Sequence, residues 1–255
     1  MTVSKKNLMI LLLCLVLTQL FGETKKNLVN YQILNERFLI ARSQKHLVSV
    51  RSLIDEIEES IRSRSENDQL LNLRVLLAEC YFEYGQLLLD EKEKERFFNT
   101  ALHILEDVFK DDLGNGRANY VAALASAALI DFVGVFQKLS LMNNFDVYIE
   151  RALKNLQDDT YRGMAYMARG IRYMNPPWPF NDYKKAEESF REAEKYIPNY
   201  SGLYLYWAQL YLKLGNRKKG EELLRKVIEM GAHPLFEKQH EENVKTAKQI
   251  LGVSK

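Results

Sequence analysis

The sequence contains little cysteine, proline or glycine. Its 255 residues include 2 Cys, 5 Pro and 12 Gly, and every proline lies at or after Pro176. A hydrophobic fraction of 47% with so little glycine and proline excludes disordered and collagen-like chains. Two cysteines cannot form a disulfide framework, and Cys14 falls inside an N-terminal apolar segment. The fold therefore depends on packing of the chain.

Long apolar runs are also rare. One stands at residues 8–17, directly after Lys5 and Lys6. Basic residues followed by about ten apolar ones predict a secretory signal peptide over residues 1–22, because a membrane span needs roughly 20. Leu20 is large for its place before a cut at Gly22, so an uncleaved membrane anchor stays open as the alternative. The sequence predicts an exported protein.

The chain has no excess of one charge once residues 1–22 are set aside. They hold two of the 36 basic residues and none of the 34 acidic ones, which leaves the two counts equal. A nucleic-acid partner is not expected, because phosphate binding requires a positive surface. The four histidines are scattered and no nucleophile or metal motif occurs, so the sequence predicts no enzyme, no metal site and no cofactor.

Apolar residues recur every three or four positions from residue 27 onward, which predicts an all-α fold. Helices are predicted over residues 28–63, with a break near Ser43, and over 69–89 and 97–110. Residues 90–96 are interpreted as a solvated helix end and loop, and residues 114–116 as a turn. The Ala-rich residues 118–136 are predicted to form a central core helix, whose Asp131 either points into a ligand cavity or lies on the solvent side.

Repeats of about 34 residues occupy the end of the chain. Residues 201–234 carry aromatic and small residues at regular spacing: Tyr204, Trp207, Ala208, Tyr211 and Gly215, then Leu224 and Val227. Residues 161–198 repeat this pattern with a short insertion, and a weaker third unit surrounds Ala78 and Ala101. The pattern resembles the tetratricopeptide (TPR) repeat, in which paired helices meet at small residues. We expect one all-helical domain over residues 23–255, built from degenerate TPR-type repeats around the Ala-rich helix.

A narrower resemblance rests on residues 161–200, YRGMAYMARGIRYMNPPWPFNDYKKAEESFREAEKYIPNY. Together with the signal peptide, the divergent repeats before this stretch and the repeat after it, the sequence is similar to T-component proteins of tripartite ATP-independent periplasmic (TRAP) transporters. The resemblance implies a periplasmic protein that meets the transporter's solute-binding protein. It also implies a trimer and an apolar or carboxylated ligand.

Candidate binding residues come from the positions that face the concave side of TPR repeats. These positions hold Arg162, Arg169, Arg172, Tyr173, Gln209 and Lys213. Because a guanidinium matches a carboxylate, the arginines predict a groove for an anionic ligand or an acidic peptide. The alternative is that they pair with Glu187, Glu188 or other acids on adjacent helices.

The proline-rich insertion, residues 175–180, is predicted to be a stiff loop. Its Trp178 and Phe180 either fill a gap between helices or form an apolar lip at a pocket or partner interface.

Two functional hypotheses follow from these features. The first is an accessory binding component of a TRAP-type uptake system, and the second is an envelope scaffold that uses its repeats only to hold proteins. An enclosed cavity favours the first hypothesis, and an open groove favours the second.

Overall fold

The computed structural model describes residues 31–62, 68–177 and 179–253, and these residues form helices without a strand. The helices are α1 (31–43), α2 (Leu47–Arg62), α3 (Asp68–Leu87), α4 (Glu91–Asp111), α5 (Gly116–Leu129), α6 (Val135–Asn155), α7 (Asp159–Met174), α8 (Tyr183–Tyr196), α9 (Ser201–Lys213), α10 (Arg217–Glu229) and α11 (Glu237–Leu251). Short 3-10 turns cover Ile130–Phe132 and Pro234–Phe236. The all-α prediction is confirmed, and the predicted signal peptide and Trp178 lie outside the described residues.

Polar residues between the apolar stretches fix where the helices begin. The side chains of Asp90, Asn115, Asp158, Asp182 and Asn216 each accept a hydrogen bond from the backbone N–H three residues later. These caps satisfy amides that have no partner inside the helix. The predicted turn is present at Leu113 and Gly114, and it leads through the capping residue Asn115 into α5.

The turn between α9 and α10 requires a glycine. Gly215 has a φ of 74°, a left-handed conformation that costs glycine little. The N–H of Gly215 donates to the carbonyl of Leu212 at 3.0 Å, and that of Asn216 donates to the carbonyl of Tyr211 at 2.8 Å. This pair of bonds is the Schellman motif that ends a helix.

Helices from α3 to α10 pack in consecutive pairs: α3 with α4, α5 with α6, α7 with α8, and α9 with α10. The pairs are close because small residues lie between them. A Cβ atom on Gly170 of α7 would stand 2.6 Å from the ring of Phe190 in α8, and one on Gly85 of α3 would stand 2.7 Å from Phe98 in α4. The first helices of successive pairs also touch one another, and α11 packs on α9 and α10.

Two sequence interpretations were wrong. The charged residues 90–96 are not a helix end followed by a loop. Asp90 caps α4, and the charged residues after it form the first turns of that helix. The Ala-rich helix α5 stops at Leu129, and Val133 and Gly134 are extended before α6 begins. Asp131 therefore lies exposed in a 3-10 turn and does not line the cavity described below, which agrees with the solvent-side alternative.

Helix α5 and helix α6 form a repeat-like pair that the sequence did not reveal. The alanine-rich sequence of α5 lacks the regularly spaced aromatic and small residues that mark the other repeats. From the sequence alone it is therefore interpreted as a single helix wrapped by repeats. In the structure α5 is the first helix of this pair and contacts α3 and α7, the first helices on either side.

The end of α1 and the start of α11 meet. Ser43 Oγ donates to the carbonyl of Pro234 at 2.8 Å and accepts from the N–H of Glu237 at 3.4 Å. Gln44 donates to the Glu237 carboxylate at 2.5 Å, and Lys45 forms an ion pair with Glu242. We call these contacts the clasp. They join residues 191 to 197 positions apart in sequence and turn the helical array into a closed ring.

In residues 31–62, 68–177 and 179–253, no helix has both the length and the apolar character needed to cross a membrane.

We expect Ser43→Ala to weaken the clasp. The change removes the side-chain partner of the Pro234 carbonyl and of the Glu237 N–H in a part-buried contact, so the free energy of unfolding should fall by about 0.5–1.5 kcal/mol. Urea unfolding measures the loss, and amide hydrogen exchange should accelerate in α11 first. As a control, Thr100→Ala removes a hydroxyl that donates to Arg96 O at 2.9 Å on an exposed face and should change stability by less than about 0.5 kcal/mol. Equal losses in the two variants, or unchanged exchange in α11, would contradict this role of Ser43.

Candidate functional site: a cavity inside the ring

A cavity of about 320 Å³ lies inside the ring. The helices that bound it are mainly the first members of each pair, namely α1, α3, α5, α7 and α9, together with α11. Its volume is at the small end of the range of roughly 300–1,000 Å³ for ligand pockets. Lys45 of the clasp lines one border of the cavity, which is partly open to solvent.

One part of the cavity wall is apolar and another is polar. The apolar part comprises Val50, Phe82, Leu87, Leu124, Met164, Met167, Ala168, Ile171 and Phe236. The polar part comprises Arg42, Lys45, Glu79, Glu83, Gln86, Tyr120, Tyr200, Tyr206, Gln239 and Asn243. Such a division suits a ligand with an apolar body and one polar end.

Glu79 is the centre of the polar wall, and its side chain is only 2% exposed. Its carboxylate accepts hydrogen bonds from Arg42 Nη1 at 3.0 Å, from Arg117 Nε at 2.6 Å and from the Tyr161 hydroxyl at 2.8 Å. A buried carboxylate is tolerated when its oxygens are satisfied in this way. Burial and the Glu79 charge raise the pKa of Tyr161 well above its usual range, so Tyr161 stays a hydroxyl donor.

The two arginines are held by further contacts. Arg117 Nη1 donates to Asn35 Oδ1 at 2.8 Å and to the Tyr31 hydroxyl at 3.1 Å. The Arg42 guanidinium lies over the Phe236 ring, 5.0 Å from its centroid. Two positive guanidinium groups thus share the single negative charge of Glu79.

Glu83 lies one helical turn after Glu79 on α3 and also faces the cavity. Within the described part of the chain it has neither a hydrogen bond nor an ion pair. Desolvation raises the pKa of Glu83 to about 7; Arg42 opposes the shift, and the Glu79 charge adds to it. Glu83 is therefore a cavity carboxyl that titrates near neutral pH.

The arginines predicted from the sequence lie elsewhere. Arg169 pairs with Glu150 of α6 at 3.0 Å and donates to Ser189 Oγ at 3.1 Å, and Arg172 pairs with Asp146 of α6 at 2.8 Å. Arg162 donates to the carbonyl of Leu156 and lies over the Tyr196 ring. Arg169 and Arg172 thus pair with acids on an adjacent helix, as the alternative interpretation holds, and that helix is α6. Glu187 is not their partner, because it binds Arg191 and Tyr211.

The predicted concave face of α7 was therefore wrong. The face of α7 that lines the cavity carries Met164, Met167, Ala168 and Ile171. These are the positions that the repeat pattern assigned to packing between helices.

The remaining predicted residues lie near the loop between α7 and α8. Lys213 donates to Asn175 Oδ1 at 3.3 Å and to the carbonyl of Met174 at 3.4 Å. Tyr173 is half-buried beneath Arg172 and Lys185, and Phe180 is 48% exposed. Gln209 is half-buried on α9 and does not line the cavity.

The sequence did contain a signal for the residues that were missed. Glu79 and Glu83 stand four positions apart in the otherwise apolar stretch VLLAECYFEYG, residues 75–85. Two acids on one face of an apolar helix have to meet cations or water inside the fold. Their partners Arg42 and Arg117 are 37 and 38 residues from Glu79, and no spacing rule connects them.

Comparison with known proteins supports the fold. No family model and no curated protein matches the sequence. A solved structure does match, that of a thermophilic TPR protein from Thermus thermophilus, with a TM-score of 0.56 and 15% identity over 80% of this chain and 92% of that protein. At this identity the match shows the fold alone. The chain therefore has a TPR-like helical-repeat fold.

We expect Glu79→Gln to destabilise the protein by about 3–5 kcal/mol, because it leaves two buried guanidinium groups without their carboxylate. The control is Glu56→Gln, which removes an exposed ion pair with Arg37 at 2.7 Å and should cost less than about 1 kcal/mol. Urea unfolding at neutral pH compares the two variants. Similar losses in both would contradict the central role of Glu79.

Ionisation of Glu83 should lower the free energy of unfolding as the pH rises. Its pKa is higher in the folded protein than the ordinary 4.5, so between those values the folded state binds more protons than the unfolded state. The free energy of unfolding should therefore fall between pH 4.5 and about 7, by up to about 1.4 kcal/mol per pH unit from this group. Glu83→Gln should abolish that part of the pH dependence. An identical pH profile of urea unfolding in the variant would contradict the shift.

Proposed function

We propose that this protein is an exported accessory component of a TRAP-type uptake system and that it holds a small ligand in the cavity inside the ring. The observation that carries the ligand part of the proposal is the cavity itself, which is lined from six helices and bordered by the clasp. The cavity is partly open to solvent, and its lining from six helices supports ligand binding rather than a scaffold role alone.

The chemistry of the wall supports a ligand in this place. Side chains that face the cavity supply apolar contact on α3, α5 and α7 and polar groups on α1, α3 and α11. A pocket that offers both apolar contact and polar groups can hold a small molecule in a defined orientation. The proposed ligand is apolar or anionic, as the family resemblance implies.

Export and the partner rest on the sequence resemblance. The signal-like residues 1–22 support a periplasmic location, either free or anchored through an uncleaved N-terminus. The proposed partner is the solute-binding protein of the transporter, and the resemblance also implies that this protein is a trimer.

We propose the α7–α8 loop as the contact with this partner, because Phe180 is 48% exposed there, close to Tyr173 and Lys213. The predicted arginines Arg169 and Arg172 flank this region and are already paired with α6.

A second candidate is an envelope scaffold that binds only proteins. TPR-like folds commonly offer surfaces for protein partners. The turn that leads into α6 also exposes two apolar side chains, Val135 at 72% and Phe136 at 89%. An exposed apolar pair of this kind suits a protein contact.

Native mass spectrometry of the protein isolated gently from its own cells tests the ligand. We expect a bound small molecule in the wild type. Leu124→Trp fills part of the cavity and should lower ligand occupancy at least about tenfold. Val147→Trp, at an exposed position on α6, should leave occupancy unchanged. A wild-type protein without a small ligand, bound only to other envelope proteins, would favour the scaffold and overturn the cavity function.

A further inference from the structure

We propose that the segments joining α5 to α6, α7 to α8 and α9 to α10 form a surface that binds an anionic lipid bilayer. Apolar side chains of these segments enter the outer part of the bilayer, and basic side chains beside them contact the lipid phosphates. The inference goes beyond the proposed function and does not depend on a ligand in the cavity.

The three segments are neighbours in the array. Each follows the first helix of a pair, and α7 contacts both α5 and α9. Lys213, at the end of α9, donates to Asn175 Oδ1 of the α7–α8 loop at 3.3 Å. Arg172 donates to the carbonyl of Phe180 in that loop at 3.4 Å and pairs with Asp146 of α6 at 2.8 Å. The segments therefore form one continuous surface.

Each segment exposes a large apolar side chain. Val135 and Phe136, at the start of α6, are 72% and 89% exposed. Phe180 before α8 and Leu214 before α10 are half-exposed. At the opposite ends of these pairs, the loops after α6 and α8 bury their large apolar residues, which are Leu156, Ile197 and Tyr200. Exposed apolar side chains thus mark one side of these pairs and not the other.

Basic residues stand beside the apolar ones. Lys184 and Lys185 lie in the first turn of α8, and α10 begins with Arg217, Lys218 and Lys219. Neither first turn contains an acid, whereas the first turns of α4 and α7 do. The positive end of the helix dipole disfavours cations at this position. Helix stability therefore gives no reason for these residues, but binding of an external anion does.

The positive charge is only partly neutralised by the protein. Ion pairs hold two of the cations, Lys185 with Asp182 and Arg217 with Glu221. Lys184 and Lys218 are exposed and have no ion pair within the described part of the chain. Residues 213–219, KLGNRKK, hold four basic residues and no acid. This part of the surface is therefore complementary in charge to anionic lipid headgroups.

The arrangement of these groups fits a bilayer better than a protein. A protein interface has an apolar centre surrounded by a polar rim. Here the apolar side chains stand on separate segments with basic residues beside them. Binding at a lipid interface uses the two kinds of group separately, because apolar side chains enter the acyl boundary while cations contact headgroups. An anionic bilayer is therefore the partner that this surface fits.

Titration of the full chain with lipid vesicles, followed by sedimentation, tests the basic residues. Phosphatidylcholine vesicles that contain phosphatidylglycerol should bind at least about tenfold more tightly than phosphatidylcholine alone. Lys184→Gln with Lys218→Gln should weaken binding to the anionic vesicles about twentyfold, because each lost cation lowers it about fivefold. The control is Arg62→Gln with Lys154→Gln, which changes two exposed cations at the opposite ends of α2 and α6 and should leave binding unchanged.

A second pair of variants tests the apolar residues. Val135→Ser with Phe136→Ser should lower binding to both kinds of vesicle about tenfold, because transfer of apolar side chains does not depend on lipid charge. Leu113→Ser with Val147→Ser changes two exposed apolar residues outside the proposed surface and should bind as the wild type does.

Three results would overturn the proposal. The first is the absence of binding to the anionic vesicles. The second is vesicle binding that neither surface variant weakens, because attachment would then lie in the apolar residues 8–17. The third is loss of a co-purifying envelope protein in the surface variants with unchanged vesicle binding, because the surface would then be a protein contact. None of these results bears on the cavity ligand, which native mass spectrometry tests separately.

Discussion

The carboxylate of Glu79 joins four helices at one point. It belongs to α3 and is bound by Arg42 of α1, Arg117 of α5 and Tyr161 of α7. Repeat folds usually hold their successive units together through apolar contacts between neighbours. Here a buried ionic cluster fixes the first helices of the pairs relative to one another, and both the curvature of the array and the polar wall of the cavity depend on it.

Much of the fold could be predicted from the sequence, since helix periodicity, capping residues and the spacing of Trp207, Ala208 and Gly215 are local properties. The break after α1 and the pairs α7–α8 and α9–α10 belong to this class. The α5–α6 pair was missed because the alanine run carries no spacing signal. The extent of α4 was misjudged because a charged first turn looks like a loop in sequence.

The site could not be predicted in the same way, because it depends on contacts between distant residues. The repeat pattern assigned Met164 and Ile171 to packing and Arg169 and Arg172 to the concave face, as holds for an open array. The contact of Ser43 with Pro234 joins segments far apart in the chain, and nothing in either segment's local sequence marks it. Glu79 and Glu83 were visible as acids on an apolar helix, but their roles required Arg42 and Arg117 to be located first.

The cavity and the outer surface offer separate places for separate partners. Most of the cavity wall comes from the first helices and α11, whereas α6, α8 and α10 carry the paired charges of the outer layer. A small ligand inside and a protein outside could therefore bind at the same time. Because both would contact α7, which carries Ile171 on one face and Arg172 beside it, this helix connects the two surfaces.

The clasp also affects how the chain folds. A linear repeat array needs only contacts between neighbours in sequence, so it can fold from any unit and can lose its terminal units one at a time. Contacts between residues 43–45 and 234–242 instead close a loop of nearly the whole described chain, and such closure carries an entropic cost that local helix pairing does not. The cavity therefore depends on this long-range closure, whereas each helix pair can form from neighbouring segments of the chain alone.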